Sequence, residues 1–314
     1  MNTISKLATA GLICLAFNFA SAQQQAGQDQ EEESSRQIVL DRFNKARPFS
    51  EATGGVNSGG ATKPAIKAPV YRRTGTARIS GPRKGTTPTA TEEIGITVWR
   101  LRPSRANDEG GSVLVLDGLK QSPYTPERIE ANTPLNIGDR VRITVESPRP
   151  GFLYIIDREQ YADGSLGEPM LIFPTKQTRG GDNRVMPGKL IDIPAQEDQY
   201  SYFTAQPAGD RRDQVAEVLT VILTPQALPL TIGAQPMRVS PAQVAEWGKL
   251  WGGAAETLEL VGGAGRTWTN EEKTAGAANG RQLTQSGPPP QTVYRVARKA
   301  GGPMLVTVPL RYAK

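Results

Sequence analysis

Apolar residues in the middle of this chain recur at every second position. Ile94, Ile96 and Val98 alternate with Gly95, Thr97 and Trp99, and Val141, Ile143 and Val145 alternate with Arg140, Arg142, Thr144 and Glu146. Period two sends successive side chains to opposite faces of an extended backbone, so both runs predict strands with one face buried. Val113 to Leu116, Met170 to Phe173, Leu190 to Ile193, Tyr200 to Phe203 and Val218 to Leu223 predict further strands, and Phe152 to Ile156, apolar on both faces, predicts a central one. Turn residues such as Pro148-Arg149-Pro150-Gly151 stand between them. Eight short strands without intervening helices predict a mainly β fold, an antiparallel two-sheet sandwich that is either Ig-like or an open barrel.

After Leu223 the period lengthens. Ser240-Pro241-Ala242-Gln243 combines an N-cap hydroxyl, a proline at the first helical position and a capping-box Gln, and Val244, Trp247 and Trp251 then fall on one helical face. Thr269 with Glu272 is a second capping box. Thr257 to Val261, Thr292 to Ala297 and Met304 to Leu310 predict strands that join the same sheets. Residues 92–232 therefore read as the sandwich, and 233–314 as a small α+β extension of one compound domain.

The N-terminal third has a different texture. Lys6, the apolar run Leu7 to Phe19 and Ala20-Ser21-Ala22 before Gln23 read as a secretory signal peptide, residues 1–22, cleaved between Ala22 and Gln23. The run is too short to span a hydrocarbon core of about 30 Å, and no later segment approaches that length. Residues 23–47 form a short segment in which Ser35 to Ala46 predicts a helix. Residues 48–91 hold 7 Gly and 5 Pro, and between Glu51 and Glu92 they carry seven basic side chains and no acidic one. This composition predicts a basic flexible linker.

Composition narrows the chemistry. The chain of 314 residues has no His and one Cys, which removes Ser-His-Asp and Cys-His catalysis and His-ligated metals. Its formal charge is +6, yet from Glu92 onward 25 basic residues balance 25 acidic ones. With the basic excess confined to an exported arm and no aromatic interleaving, nucleic acid is not the expected partner. A hydrolase would need a pair of carboxylates, which nothing singles out, because neither a Gly-x-Ser-x-Gly elbow nor a Ser-x-x-Lys pattern occurs.

The succession Leu135-Asn136-Ile137-Gly138-Asp139-Arg140-Val141, Gly151-Phe152-Leu153-Tyr154-Ile155-Ile156-Asp157, Leu171-Ile172-Phe173-Pro174, Asn183-Arg184-Val185 with Gly188, and Ile193-Pro194-Ala195 resembles the bacterial family of unknown function numbered four-three-eight-four, over about residues 94–225. The resemblance implies an envelope-facing or secreted β-rich domain and supplies no catalytic residue. The pattern also has a purely structural account: Gly138-Asp139 and, in the loop after Asp157, Asp163-Gly164 suit turns, Pro174 and Pro194 end strands, and Tyr154 buries its ring with its hydroxyl at a rim.

The candidate sites follow from loops. Asp157, Glu159, Asp163 and Glu168 crowd the stretch 157–168 and form a weak hard-cation set, although their spacing does not match an EF-hand; a polar hairpin is the plainer reading. Tyr161, Lys176, Arg179 and Arg184 lie on long polar loops expected at one end of the sandwich, where binding residues concentrate. The expected activity is a secreted or periplasmic, non-catalytic module that binds an envelope protein or anionic polymer without a cofactor. The alternative is a carbohydrate-binding or carbohydrate-active protein stacking sugars on Tyr161, Trp247 and Trp251.

Overall fold

The computed structural model describes residues 43, 45–49, 69–75, 90–117, 120–198, 200–207, 211–298 and 300–313. The expected signal peptide with its cleavage point, most of the span 35–46 expected to be helical and most of the expected basic linker lie outside the described residues. No helix among the described residues is long and apolar enough to cross a membrane.

Two antiparallel sheets face each other and do not close into a barrel. The first is organised by β2 (Thr91–Pro103), thirteen residues long. One edge of β2 pairs with β5 (Arg140–Glu146). The other is shared by β14 (Thr292–Ala297) along its first half and β4 (Lys120–Ile129) along its second. β13 (Ala255–Leu260) and β1 (Tyr71–Arg73) extend the sheet beyond β14, β3 (Val113–Asp117) extends it beyond β4, and β9 (Leu190–Ile193) and β10 (Phe203–Thr204) border β5.

The second sheet runs β12 (Met237–Arg238), β7 (Met170–Phe173), β6 (Gly151–Tyr161), β11 (Gln214–Thr224), β15 (Met304–Arg311), with β8 (Arg184–Val185) beside the start of β6. Between the sheets, Ile94, Ile96, Val141, Ile143 and Val145 meet Leu153, Ile155, Leu219, Val221 and Val306 in one apolar core. The predicted C-terminal strands are thus woven into both sheets, β14 onto β2 and β15 onto β11.

Several expectations are corrected. Tyr200 to Phe203 does not form a strand over its length; only Phe203–Thr204 pairs, along β5, and the rings of Tyr200 and Tyr202 meet edge-on at 6.3 Å before it. β4 escapes the sequence pattern because it contains Pro123 and Pro126, which cannot donate to a ladder. The strand changes neighbours at Tyr124, and the proline carbonyls instead accept from the Ser104 and Trp268 amides. Within the stretch 48–91, Tyr71 is a buried strand residue whose hydroxyl donates to the Pro290 carbonyl, and Arg72 and Arg73 pair with Glu130 and Glu256. Two of the seven cations assigned to a flexible arm therefore belong to the folded body.

The polar face of β5 is not solvated. Arg142, Thr144 and Glu146 are each at most 4% exposed, because the segment 262–291 closes over the outer face of the first sheet. Charge is accommodated there by pairing. Arg142 lies 3.0 Å from Asp192 and 4.5 Å from the centroid of Trp268, Arg128 reaches Glu272 over the ring of Trp99, and Arg47 forks onto both Glu146 oxygens at 2.7 Å.

The helix α1 (Pro241–Trp251) forms as its sequence predicts, but Ser240 makes no side-chain cap and Gln243 turns to Glu246. Its apolar face instead anchors it: Val244 and Trp247 pack on Tyr154, Ile156 and Leu305, the outer face of the second sheet. The capping box of α2 (Asn270–Gly276) is present in both directions between Thr269 and Glu272.

Candidate functional site

At the end of the sandwich where β6 begins, the β7–β8 loop, the β8–β9 turn and the segment 277–282 surround an open cleft of about 1200 Å³. Its charged lining is one-sided: Arg149, Arg179, Arg184, Lys189 and Arg281 against Asp182. Pro48, Phe152 and Met186 add apolar surface. Two of the cations are neutralised within the molecule. Arg149 holds Glu92 at 2.5 Å and the Gly302 carbonyl, and Arg184 pairs with Asp182 at 2.9 Å, which keeps that carboxyl below its ordinary range.

Local backbone sets the other cations. Arg179, Gly180 and Gly181 have φ of 52°, 63° and 86°, a tight left-handed turn closed by Gly181 N–H to the Thr178 carbonyl and Asp182 N–H to the Arg179 carbonyl. Glycine takes this conformation freely, whereas arginine there is strained. Nε and Nη1 of Arg179 are buried without a hydrogen-bond partner. The Lys189 ammonium donates to the carbonyls of Ala277 and Gly280, which ties the β8–β9 turn to the opposite wall. Burial, reinforced by the charge of Arg179, pulls its pKa below the ordinary lysine value.

Of the residues predicted to bind, Arg179 and Arg184 line this cleft and Lys176 lies exposed on the same β7–β8 loop. Tyr161 does not join them. Arg184 pairs with Phe152 at one end of β6 and Tyr161 sits at the other, nine residues away, about 30 Å at the rise of a strand. There Arg211 covers the Tyr161 ring at 3.6 Å. The indoles of Trp247 and Trp251 stack on each other at 5.6 Å, Trp247 buried in the core under α1, so the three aromatics proposed for sugar stacking are engaged within the fold. Arg149, Lys189 and Arg281 were not singled out by sequence, because they come from three separate loops and carry no motif.

The acidic quartet is dispersed. Among the described residues no three acidic side chains are placed to hold a metal. Asp163 forms an exposed turn with Ser165 and faces Arg211, while Asp157 points into a small cavity of about 140 Å³ beside Glu217 and Tyr312. Burial, then the charges of Glu217 and Glu159, push Asp157 up to about 8, and it shares its proton with Glu217.

The folded chain retains this proton between about pH 4 and pH 8, where the unfolded chain has released it, so stability falls as pH rises through that window. Asp157→Asn, uncharged throughout, is expected to flatten the fall and to be the more stable form at pH 8.5. Denaturant unfolding at pH 5 and pH 8.5 checks it; an unchanged slope would count against a retained proton.

The strands β5 to β10 and the start of β11, which build one half of the core and carry the cleft cations Arg149, Arg179, Arg184 and Lys189, form a contiguous sequence block. Residues 134–216 match the family described as Domain of unknown function (DUF4384). The DUF4384 match is shorter than the 94–225 span of the sequence resemblance, and it stops short of Arg281. No curated protein and no solved structure matches the chain.

Proposed function

We propose that this protein is exported and that its sandwich is a non-catalytic module that holds an anionic polymer of the cell envelope in the cationic cleft. The observation that carries the proposal is the cleft itself: five cationic side chains and one carboxylate around about 1200 Å³, in a body whose charge is otherwise balanced from Glu92 onward. The leader-like residues 1–22 support export. The absence of His from the sequence, and the presence of only one carboxylate among the described residues that line the cleft, support binding over turnover.

The test is co-sedimentation of residues 23–314 with isolated envelope material at low and high salt. Binding is expected to weaken with salt, as screened charges require, and Arg184→Glu/Arg281→Glu is expected to lower it at least tenfold. Protease treatment of the envelope should leave it intact. Loss after protease would make the partner a protein, and equal binding by the charge-reversed variant would overturn the cleft as the site.

A further inference from the structure

Two cleft cations, Arg149 and Arg184, have carboxylate partners; Arg179, Lys189 and Arg281 have none within ion-pair distance among the described residues. The carboxylates that act on Lys189 from further away are committed elsewhere, Asp192 to Arg142 and Glu197 to the Ala278 amide. Arg179 is held in place by a backbone conformation that arginine disfavours, with Nε and Nη1 of its guanidinium buried without a hydrogen-bond partner in the protein. The charge of Arg179 reaches Asp182, but that carboxylate is paired to Arg184, so the cleft keeps an excess of positive charge at a fixed position.

We infer that Arg179, Lys189 and Arg281 form a seat for a phosphate group, each cation facing the cleft from a different segment. A phosphate group is tetrahedral, so its oxygens can meet cations arriving from different segments, and the inorganic ion carries about −1.5 to −2 charge at pH 7, whereas a carboxylate has two oxygens in one plane and a single charge. The strained turn is then the device that presents Arg179: a left-handed arginine followed by two glycines keeps its side chain on the cleft wall. This assignment rests on reading the cleft as the binding surface and specifies the chemistry it recognises.

Titration calorimetry of residues 23–314 with inorganic phosphate and with acetate tests the seat. Phosphate is expected to bind at least tenfold tighter than acetate. Arg179→Gly suits the left-handed turn, so it is expected to keep or raise the melting temperature while weakening phosphate at least tenfold. Lys189→Met should weaken phosphate similarly, and Arg211→Ala, at the far end of β6, should leave it unchanged. Undiminished affinity in Arg179→Gly, or equal affinity for acetate, overturns the seat. Failure of phosphate to bind while Arg184→Glu/Arg281→Glu still abolishes envelope binding overturns the seat alone; failure of both experiments overturns the cleft as well. Displacement of phosphate by poly(glycerol phosphate) supports the seat with a polymer as the source, and flotation with phosphatidylglycerol vesicles but not phosphatidylcholine vesicles supports it with a lipid headgroup.

Discussion

Arg47→Ala is expected to destabilise the fold by about 3–5 kcal/mol, measured by denaturant unfolding. Arg47 is 2% exposed and comes from the short described stretch 45–49. Its guanidinium forks onto Glu146 and donates to the carbonyls of Gly287 and Pro288. Truncation leaves Glu146, itself 2% exposed, as a buried charge without its partner, and leaves those carbonyls without donors. The size of the loss thus reflects the orphaned groups more than the worth of the pair. Arg47→Met combined with Glu146→Gln is therefore expected to recover a large part of it, and a double variant as unstable as Arg47→Ala would show that packing by the arginine stem, not charge, dominates. Phe43 is buried with Tyr71, Leu258, Leu260 and Val293 in a neighbouring cluster, so Phe43 and Arg47 both belong to the folded body.

The second large effect is expected at Trp268. It is 1% exposed, packs against Trp99 at 6.4 Å and lies under the Arg142 guanidinium. Trp268→Ala removes one of the largest buried side chains and opens a cavity beside a buried cation, an expected loss of about 4 kcal/mol. Trp268→Phe keeps most of the ring area and is expected to lose less than half as much, particularly because the Trp268 indole nitrogen has no hydrogen-bond partner to forfeit. Equal losses for Phe and Ala would show that the indole's shape, not its aromatic face over Arg142, is what the site requires.

Alternation made β2, β5, β7, β9, β11 and the C-terminal pair β14 and β15 legible, since each keeps one apolar face on the shared core. It failed for β4, where prolines that normally break a strand sit at carbonyl-accepting positions, and for β1, three residues inside a Gly/Pro-rich stretch. It also misplaced the environment of Arg142, Thr144 and Glu146. A polar alternate face reads as solvated, and only the partners Arg47, Asp192 and Trp268, from 48 to 126 residues away along the chain, reveal that it is buried. The cleft was legible in part: Arg179 and Arg184 stood out as loop cations, but their assembly with Lys189 and Arg281 depends on how the loops after β7, β8 and α2 converge. Tyr161 was misplaced because nearness in sequence hides the length of β6.

The interlacing of the sheets also sets the order in which this chain can mature. β2 lacks a partner along half of one edge until residues 292–297 arrive, and β11 lacks one until residues 304–311 do. Contacts this distant in sequence make folding slow. A nascent or clipped chain ending before Met304 would display the β11 edge, an eight-residue template rich in Val, Leu and Ile, to any neighbouring chain. Proteolytic trimming near Gly301 is therefore a route to aggregates rather than to a smaller working domain.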